Sequence, residues 1–187
     1  MIDAGGCRIK SDMPSLQVSE LKDAIRAIPD FPKKGILFRD ITPLLNDPEK
    51  FRDCIDRFVS ITKEKIDCVV SIESRGFIFG SALAYALGAG FVPIRKEGKL
   101  PHKKHTKSYD LEYGTASIEI HEDALAGGSK VILIDDVLAT GGTVEASIHL
   151  VEKLGADIYG LYFLIDLPAL KGRERLKKYP VHTLISF

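Results

Sequence analysis

The sequence predicts an α/β fold, a largely parallel sheet flanked by helices, in one domain spanning residues 1–187. Two observations predict it. From residue 67 onward, apolar strand segments alternate with helical ones, the order that a parallel sheet with crossover helices requires. Each strand segment also runs directly into polar or glycine-containing residues, where an open α/β sheet places its ligand-binding loops.

Taken in order, residues 1–15 are rich in Gly, Ser and Asp without periodicity and predict a mobile tail. Val18, Leu21, Ala24, Ile25 and Ile28 follow helical spacing until Pro29 stops it, predicting a short amphipathic helix. "FPKKGILFRDITP" (31–43) mixes turn formers with Ile36, Leu37, Phe38 and Ile41, which suits a small loop-and-strand element outside the main sheet. Asp47 and Pro48 resemble a helix start, and Phe51, Ile55, Phe58, Val59 and Ile61 carry that helix to about residue 64. The strand segments are "DCVVSIESRGF" (67–77), "FVPIRK" (91–96), "SKVILIDD" (129–136) and "IYGLYFLID" (158–166), with "FGSALAYALG" and "VEASIHLVEKLG" as helices between some of them. "TASIEIHEDAL" (115–125) alternates and adds a strand that would make the sheet mixed. Residues 97–114, "EGKLPHKKHTKSYDLEYG", lack periodicity and are long for a structureless connection, which predicts a flexible lid loop.

Lys plus Arg (26) equals Asp plus Glu (26), so the chain has no global basic field for nucleic acid or a membrane surface. Small-molecule partners are expected, with charge-driven recognition kept local. Cys7, Cys54 and Cys68 are odd in number and far apart, which argues against a disulfide framework or zinc site and suits a reducing interior. The first residues carry no apolar signal segment, and no apolar run approaches the ~18 residues of a spanning helix. A soluble, cytoplasmic protein is expected.

The most informative stretch is "VILIDDVLATGGT" (131–143). Asp135 and Asp136 stand at the carboxyl end of the most apolar strand, where ligands of an α/β sheet bind. Alternation along a strand should turn the two side chains different ways, with at least one entering the crevice toward hydroxyls or a cation-bearing ligand. Ala139, Thr140, Gly141, Gly142 and Thr143 follow: the glycines allow close backbone approach and the threonines offer hydroxyls. A helix begins at once, with Val144, Ile148, Val151 and Leu154 as its apolar stripe and Gly155 at its end, so its N-terminal N–H groups face the loop. Such a loop should hold a phosphate, and a phosphate beside hydroxyl-binding acids describes a ribose 5-phosphate. No G-x-G-x-x-G follows a strand and no G-K-[ST] is present, which sets aside dinucleotide and P-loop folds.

Two more segments carry charge toward that end of the sheet. Ser74, Arg75 and Gly76 close an apolar strand, where Gly76 lets the backbone approach an anion and Arg75 can fork onto phosphate oxygens. From Arg95 to Lys107 there are six basic residues and one acidic one, the only strongly positive stretch in a neutral chain: a solvated basic loop or, if the ligand carries a diphosphate, a local clamp for it.

"VILIDDVLATGGT" resembles the phosphoribosyl-diphosphate signature of the type I phosphoribosyltransferases. Within that family, "FPKKGILFRDITPLL", "ESRGFIFG", "IRKEGKLP", "YDLEYG" and "LKGRERL" resemble the adenine-using members, in matching order over residues 18–187. The resemblance implies a type I phosphoribosyltransferase fold with an N-terminal hood at 31–43, and transfer of the phosphoribosyl group from 5-phospho-α-D-ribose 1-diphosphate to adenine, giving AMP and diphosphate. It implies Mg²⁺ carried on substrate oxygens with no direct protein ligand, and a homodimer. It assigns Ser74, Arg75 and Gly76 to a diphosphate-binding loop, with Glu73 where Asp is as readily expected. Arg95 and Lys99 join that clamp, whereas Lys103, Lys104 and Lys107 match no family contact and are expected to be mainly solvated. Glu112 and Tyr113 belong to the lid, Glu112 handling a proton on the purine. Leu37, Phe38 and Arg39 lie at the adenine, backbone groups of Leu37 and Arg39 reading its edge, with Leu167 on the opposite face. The alternatives are a transferase for another purine, against which the hood and Leu167 argue, and a regulator that senses the sugar diphosphate. Such a regulator needs a DNA-reading module, and residues 1–30 hold one short helix.

Overall fold

The computed structural model describes residues 15–110 and 114–187. Of the tail expected to be mobile, residues 1–14 lie outside that range. Ser15 does not behave as tail: its hydroxyl lies 3.1 Å from Asp53 Oδ1 and accepts from Arg57 at 2.8 Å.

A mixed seven-stranded sheet carries the chain, in the order β5-β6-β4-β3-β7-β8-β9. The strands are β3 (Cys68–Ile72), β4 (Gly90–Lys96), β5 (Lys104–Asp110), β6 (Thr115–His121), β7 (Lys130–Leu138), β8 (Asp157–Asp166) and β9 (Val181–Ser186). Strands β4, β3, β7, β8 and β9 run parallel, while β6 joins β4 and β5 joins β6 antiparallel. Alternation divides β7 between two cores. Val131 and Leu133 pack with Val144, Ile148 and Val151 of α5 (Gly142–Lys153), and Ile132 and Ile134 pack with the helices opposite. Those helices are α3 (Pro48–Ile61), which brings Phe58, and α4 (Gly76–Leu87), which brings Phe79 and Leu83. Residues 160–166 of β8 are buried throughout, as a strand covered on both faces must be. The Asp47 carboxylate caps α3 by accepting the N–H groups of Glu49 and Lys50, both at 3.1 Å, which explains why Asp-Pro marked that start.

Three sequence expectations change. The helix expected over 18–28 is α1 (Val18–Asp23) alone; Arg26–Pro29 instead forms β1, antiparallel to β2 (Leu37–Asp40) in a separate two-stranded sheet. Leu21 and Ile25 are buried, but the pairing with β2 takes over after Ile25, so periodicity in a short window overshot. A short helix, α2 (Thr42–Asn46), was not anticipated between hood and α3. Within the segment 97–114, Lys104–Asp110 is strand rather than structureless loop, because β5 pairs with β6 over seven positions from Lys104↔His121 to Asp110↔Thr115, while residues 111–113 lie outside the described residues. Its polar, lysine-bearing composition is that of an edge strand, whose charges discourage pairing with another chain. Among the described residues no helix is long and apolar enough to cross a membrane.

Candidate active site

The parallel neighbours β3 and β7 end side by side, with Ser71 paired to Ile134, so the turn after β3 meets the acids of β7. Arg75 Nε lies 2.8 Å from Asp136 Oδ2, an ion-pair distance, although that buried oxygen has no aligned hydrogen bond. Asp135 Oδ1 accepts the Asp136 N–H at 2.9 Å. A Cβ on Gly76 would sit 2.7 Å from the same Asp135 oxygen, so only glycine lets α4 start this close to the acids. The two carboxylates therefore do not diverge as strand alternation implied. Asp135 folds back onto its neighbour's backbone, and both face the Arg75–Gly76 turn.

Burial pushes the Asp135 carboxyl well above the usual range, and the adjacent Asp136 charge adds to the shift. Burial also raises Asp136, against the opposing pull of the Arg75 guanidinium. Asp135 is thus poorly supplied with protein donors, while Asp136 leans on Arg75.

Residues 139–143 run on from β7 into α5. Gly141 caps that helix at φ +82°, a left-handed conformation that glycine adopts without strain. The first helical bond, Glu145 N to Gly141 O at 2.9 Å, leaves the N–H groups of the preceding turn for a ligand. A Cβ on Gly141 would meet Gly172 O at 2.9 Å, and one on Gly172 would collide with Ala139 O. The "LKGRERL" segment thus buttresses the loop from behind. Arg173 anchors it, with Nε 2.6 Å from buried Asp166 and an N–H donated to Thr183 Oγ1 at 2.8 Å. Sequence reasoning quoted this segment without giving it that role; the signal was a glycine between charged residues just after the strand carrying Asp166.

Arg95 and Lys99, expected in the diphosphate clamp, converge on Glu73. Arg95 Nε donates to Glu73 Oε2 at 3.0 Å, the Lys96 N–H donates to the same oxygen at 3.0 Å, and the Lys99 ammonium bonds Oε1. Burial would raise the Glu73 carboxyl, but the Lys99, Lys96 and Arg95 donors outweigh it and bring it down to about 2. Ser74 is exposed, and its carbonyl accepts the Phe77 N–H at 3.2 Å. Lys104 is not solvated as expected, since it lies 3.1 Å from the buried carboxylate of Glu119. Lys107 is half-buried and lines a cavity of about 380 Å³ with His149 and Arg175, whereas Lys103 is exposed.

The hood joins this cluster through Arg75, whose guanidinium carbon lies 4.9 Å from the Phe38 ring centroid. In the β1–β2 pair, Pro29 faces Leu37 and Ala27 faces Arg39. Pro29 has no N–H, which places these two in the non-hydrogen-bonded pairs and directs the polar backbone groups of Leu37 and Arg39 away from β1. Leu167, half-buried, donates its N–H to Leu138 O at 3.0 Å and so sits beside the end of β7. Glu112 and Tyr113 lie outside the described residues.

A family model described as the phosphoribosyl transferase domain matches residues 42–187. An adenine phosphoribosyltransferase of Halothermothrix orenii is 58% identical over 167 residues, covering 89% of this chain and 98% of that one. The crystal structure of adenine phosphoribosyltransferase from Thermoanaerobacter pseudethanolicus superposes with a TM-score of 0.89 at 49% identity, covering 91% of this chain and 100% of that one. The Saccharomyces cerevisiae enzyme, complexed with adenine and an imino-altritol 1,6-bisphosphate, gives 0.85 at 45% identity over 89% of this chain and 97% of that one. The family model begins after the β1–β2 pair. The chain belongs to the phosphoribosyltransferase family, among its adenine phosphoribosyltransferases.

Proposed function

We propose that this chain transfers the 5-phosphoribosyl group of 5-phospho-α-D-ribose 1-diphosphate to N9 of adenine, releasing diphosphate and forming AMP in purine salvage. The observation that carries the reading is the meeting, at the ends of β3 and β7, of a glycine loop leading into α5, an acid pair and Arg75, which also touches the hood ring of Phe38. Adenine and a sugar bisphosphate mimic bound to the yeast relative support it.

In this reading the backbone from Ala139 to Thr143 holds the 5-phosphate and Asp135 and Asp136 orient the ribose hydroxyls. The C1–O bond to diphosphate breaks, C1–N9 forms, and N9 gives up its proton, with Glu112 handling a proton on the imidazole edge and Tyr113 accompanying it in the lid. Arg75, Arg95 and Lys99 bind the leaving diphosphate more tightly as its charge develops. Leu37 and Arg39 offer backbone donors and acceptors to the purine edge, and Leu167 packs on the ring. Hydrogen-bonding groups of this kind reject hypoxanthine, whose donor and acceptor at positions 1 and 6 are exchanged relative to adenine, more strongly than apolar packing can.

Mg²⁺ is proposed as the cofactor, arriving on the substrate's oxygens. The fit lies in the proposed substrate, whose diphosphate and ribose oxygens are the hard donors magnesium takes, with Asp135 and Asp136 beside those hydroxyls and, among the described residues, no cluster of side chains placed to hold a metal. When bound it would neutralise diphosphate charge. A homodimer is supported by the exposed Ile78 and Tyr85 of α4 and Phe91 of β4, with Tyr85 82% exposed. Cytoplasmic placement is supported by the free thiols of Cys54 and Cys68, burial pushing Cys54 up to about 12.

Diphosphate release measured with Mg²⁺ and each purine base tests the reading. Adenine should turn over far faster than hypoxanthine or guanine; comparable turnover of hypoxanthine would overturn it.

A further inference from the structure

Glu73 lies at the end of β3 with its side chain only 7% exposed, beneath two cations that are 34% (Arg95) and 47% (Lys99) exposed. Its position follows from the sheet: Ile72 pairs with Ile94 across β3 and β4, and the Glu73 N–H donates to Ile94 O at 3.0 Å, so its carboxylate arrives opposite Arg95. Both oxygens are used, Oε2 by Arg95 Nε and the Lys96 N–H, and Oε1 by Lys99. The donor count on the cations is the informative part. Arg95 gives Glu73 its Nε, which leaves both terminal nitrogens of the guanidinium for another acceptor, and Lys99 uses one of three N–H groups. The bond from the Lys96 backbone fixes the carboxylate itself.

We propose that Glu73 is a positioning residue for the diphosphate clamp: from beneath, it sets Arg95 and Lys99 at one spacing with their remaining donors turned outward. The inference rests on the reading that these two cations bind the diphosphate. It accounts for Glu in place of the shorter Asp, because one carboxylate must reach a backbone N–H on β4 and a lysine beyond its end together. The negative charge lessens the net attraction of the clamp for any anion, and what it gives in return is preorganisation, since two long side chains no longer have to be ordered when substrate binds. The three donors bring the Glu73 carboxyl down to about 2, so its charge is in place around neutral pH.

Glu73→Gln keeps the shape but turns an amide NH₂ toward donors. The Michaelis constant for the sugar diphosphate should rise about tenfold, the cost of one misplaced charged hydrogen bond, while that for adenine stays within about twofold. Glu73→Asp, retaining charge without reach, should fall between Gln and wild type. In an Arg95→Ala/Lys99→Ala background, Glu73→Gln should add nothing further, because a residue acting through partners has no effect once they are gone. If Glu73→Gln does not fold, Glu73→Asp is carried through the same background. An effect that multiplies with the double alanine variant, or a lowered melting temperature with both Michaelis constants unchanged, would overturn the positioning role. An unaltered sugar-diphosphate constant in the double alanine variant alone would instead overturn the clamp and the inference with it.

Discussion

Glu73, one residue past the β3–β4 pairing, and Asp135, one residue past the β3–β7 pairing, stand at the same end of neighbouring parallel strands, yet their carboxyls are driven opposite ways. Burial pushes each one up. At Glu73 that push is outweighed by Lys99, the Lys96 N–H and Arg95, and the group ends at about 2. Asp135 receives one backbone N–H, from Asp136, and a second carboxylate as neighbour, so burial wins and the carboxyl stays well above its ordinary value. The difference teaches that a shallow acid met by three donors is held in its charged form, whereas a deeper one given a single backbone N–H beside a second carboxylate is pushed toward its neutral form. It also separates the two functionally. Glu73 has both carboxylate oxygens taken by protein donors, whereas Asp135 and Asp136 are the acids proposed to meet the ribose hydroxyls.

A third carboxylate sharpens the comparison and carries the largest expected effect. If Glu112 handles a proton on the purine, Glu112→Gln should lower the single-turnover rate by ~10² to 10⁴-fold, the usual span for a general acid or base, with little change in the adenine Michaelis constant. Single turnover is the right measurement because product release can mask a chemical step in kcat. A rate within about threefold of wild type, well below that span, would make Glu112 an ordinary surface acid and leave catalysis to positioning and electrostatics.

A smaller effect, opposite in sign for stability and for binding, is expected at Asp135. A carboxyl raised in the folded state binds its proton more tightly there than in the unfolded chain. Stability is therefore lost as pH rises from the ordinary value of 3.8 through the folded one, and the loss is complete above it. Asp135→Asn removes that loss while its side-chain oxygen still accepts the Asp136 N–H. The variant should melt higher than wild type at neutral pH, where a gain of about 1 kcal/mol appears as ~2 to 4 °C, and the gap should close below pH 3.8. AMP affinity should fall at the same time. Equal melting temperatures across this pH range would show that Asp135 is not held in a costly state.

These contrasts also mark how far the sequence could be read. The β7 strand, its acids and the glycine loop were legible, because four aliphatics, two aspartates and a glycine pair in sequence leave few other arrangements. The hood was visible as an element outside the sheet, but its partner strand was hidden inside a helical-looking run from Val18 to Ile28, where six residues of helix and four of strand share one apolar spacing. The strand β5 was illegible for another reason: an edge strand that faces water carries lysines and a histidine where alternation would otherwise announce it. Within the site, the pairings between residues were not legible. Glu73 beneath Arg95 and Lys99, and Gly172 against Ala139, depend on the register of β3 with β4 and on the return of the chain after β8, which no local pattern encodes.

The central claim is that the loop from Ala139 to Thr143 holds a nucleotide's phosphate on the backbone leading into α5. Calorimetric titration of AMP into Gly142→Asp, with circular dichroism on the same sample, tests it most directly. An acid in the first turn of a helix suits the helix, so the fold should survive, while its charge and side chain stand where the phosphate must approach. The account predicts a wild-type dichroism spectrum with AMP binding lost. A folded variant that binds AMP with unchanged affinity would contradict it, because the phosphate would then lie elsewhere.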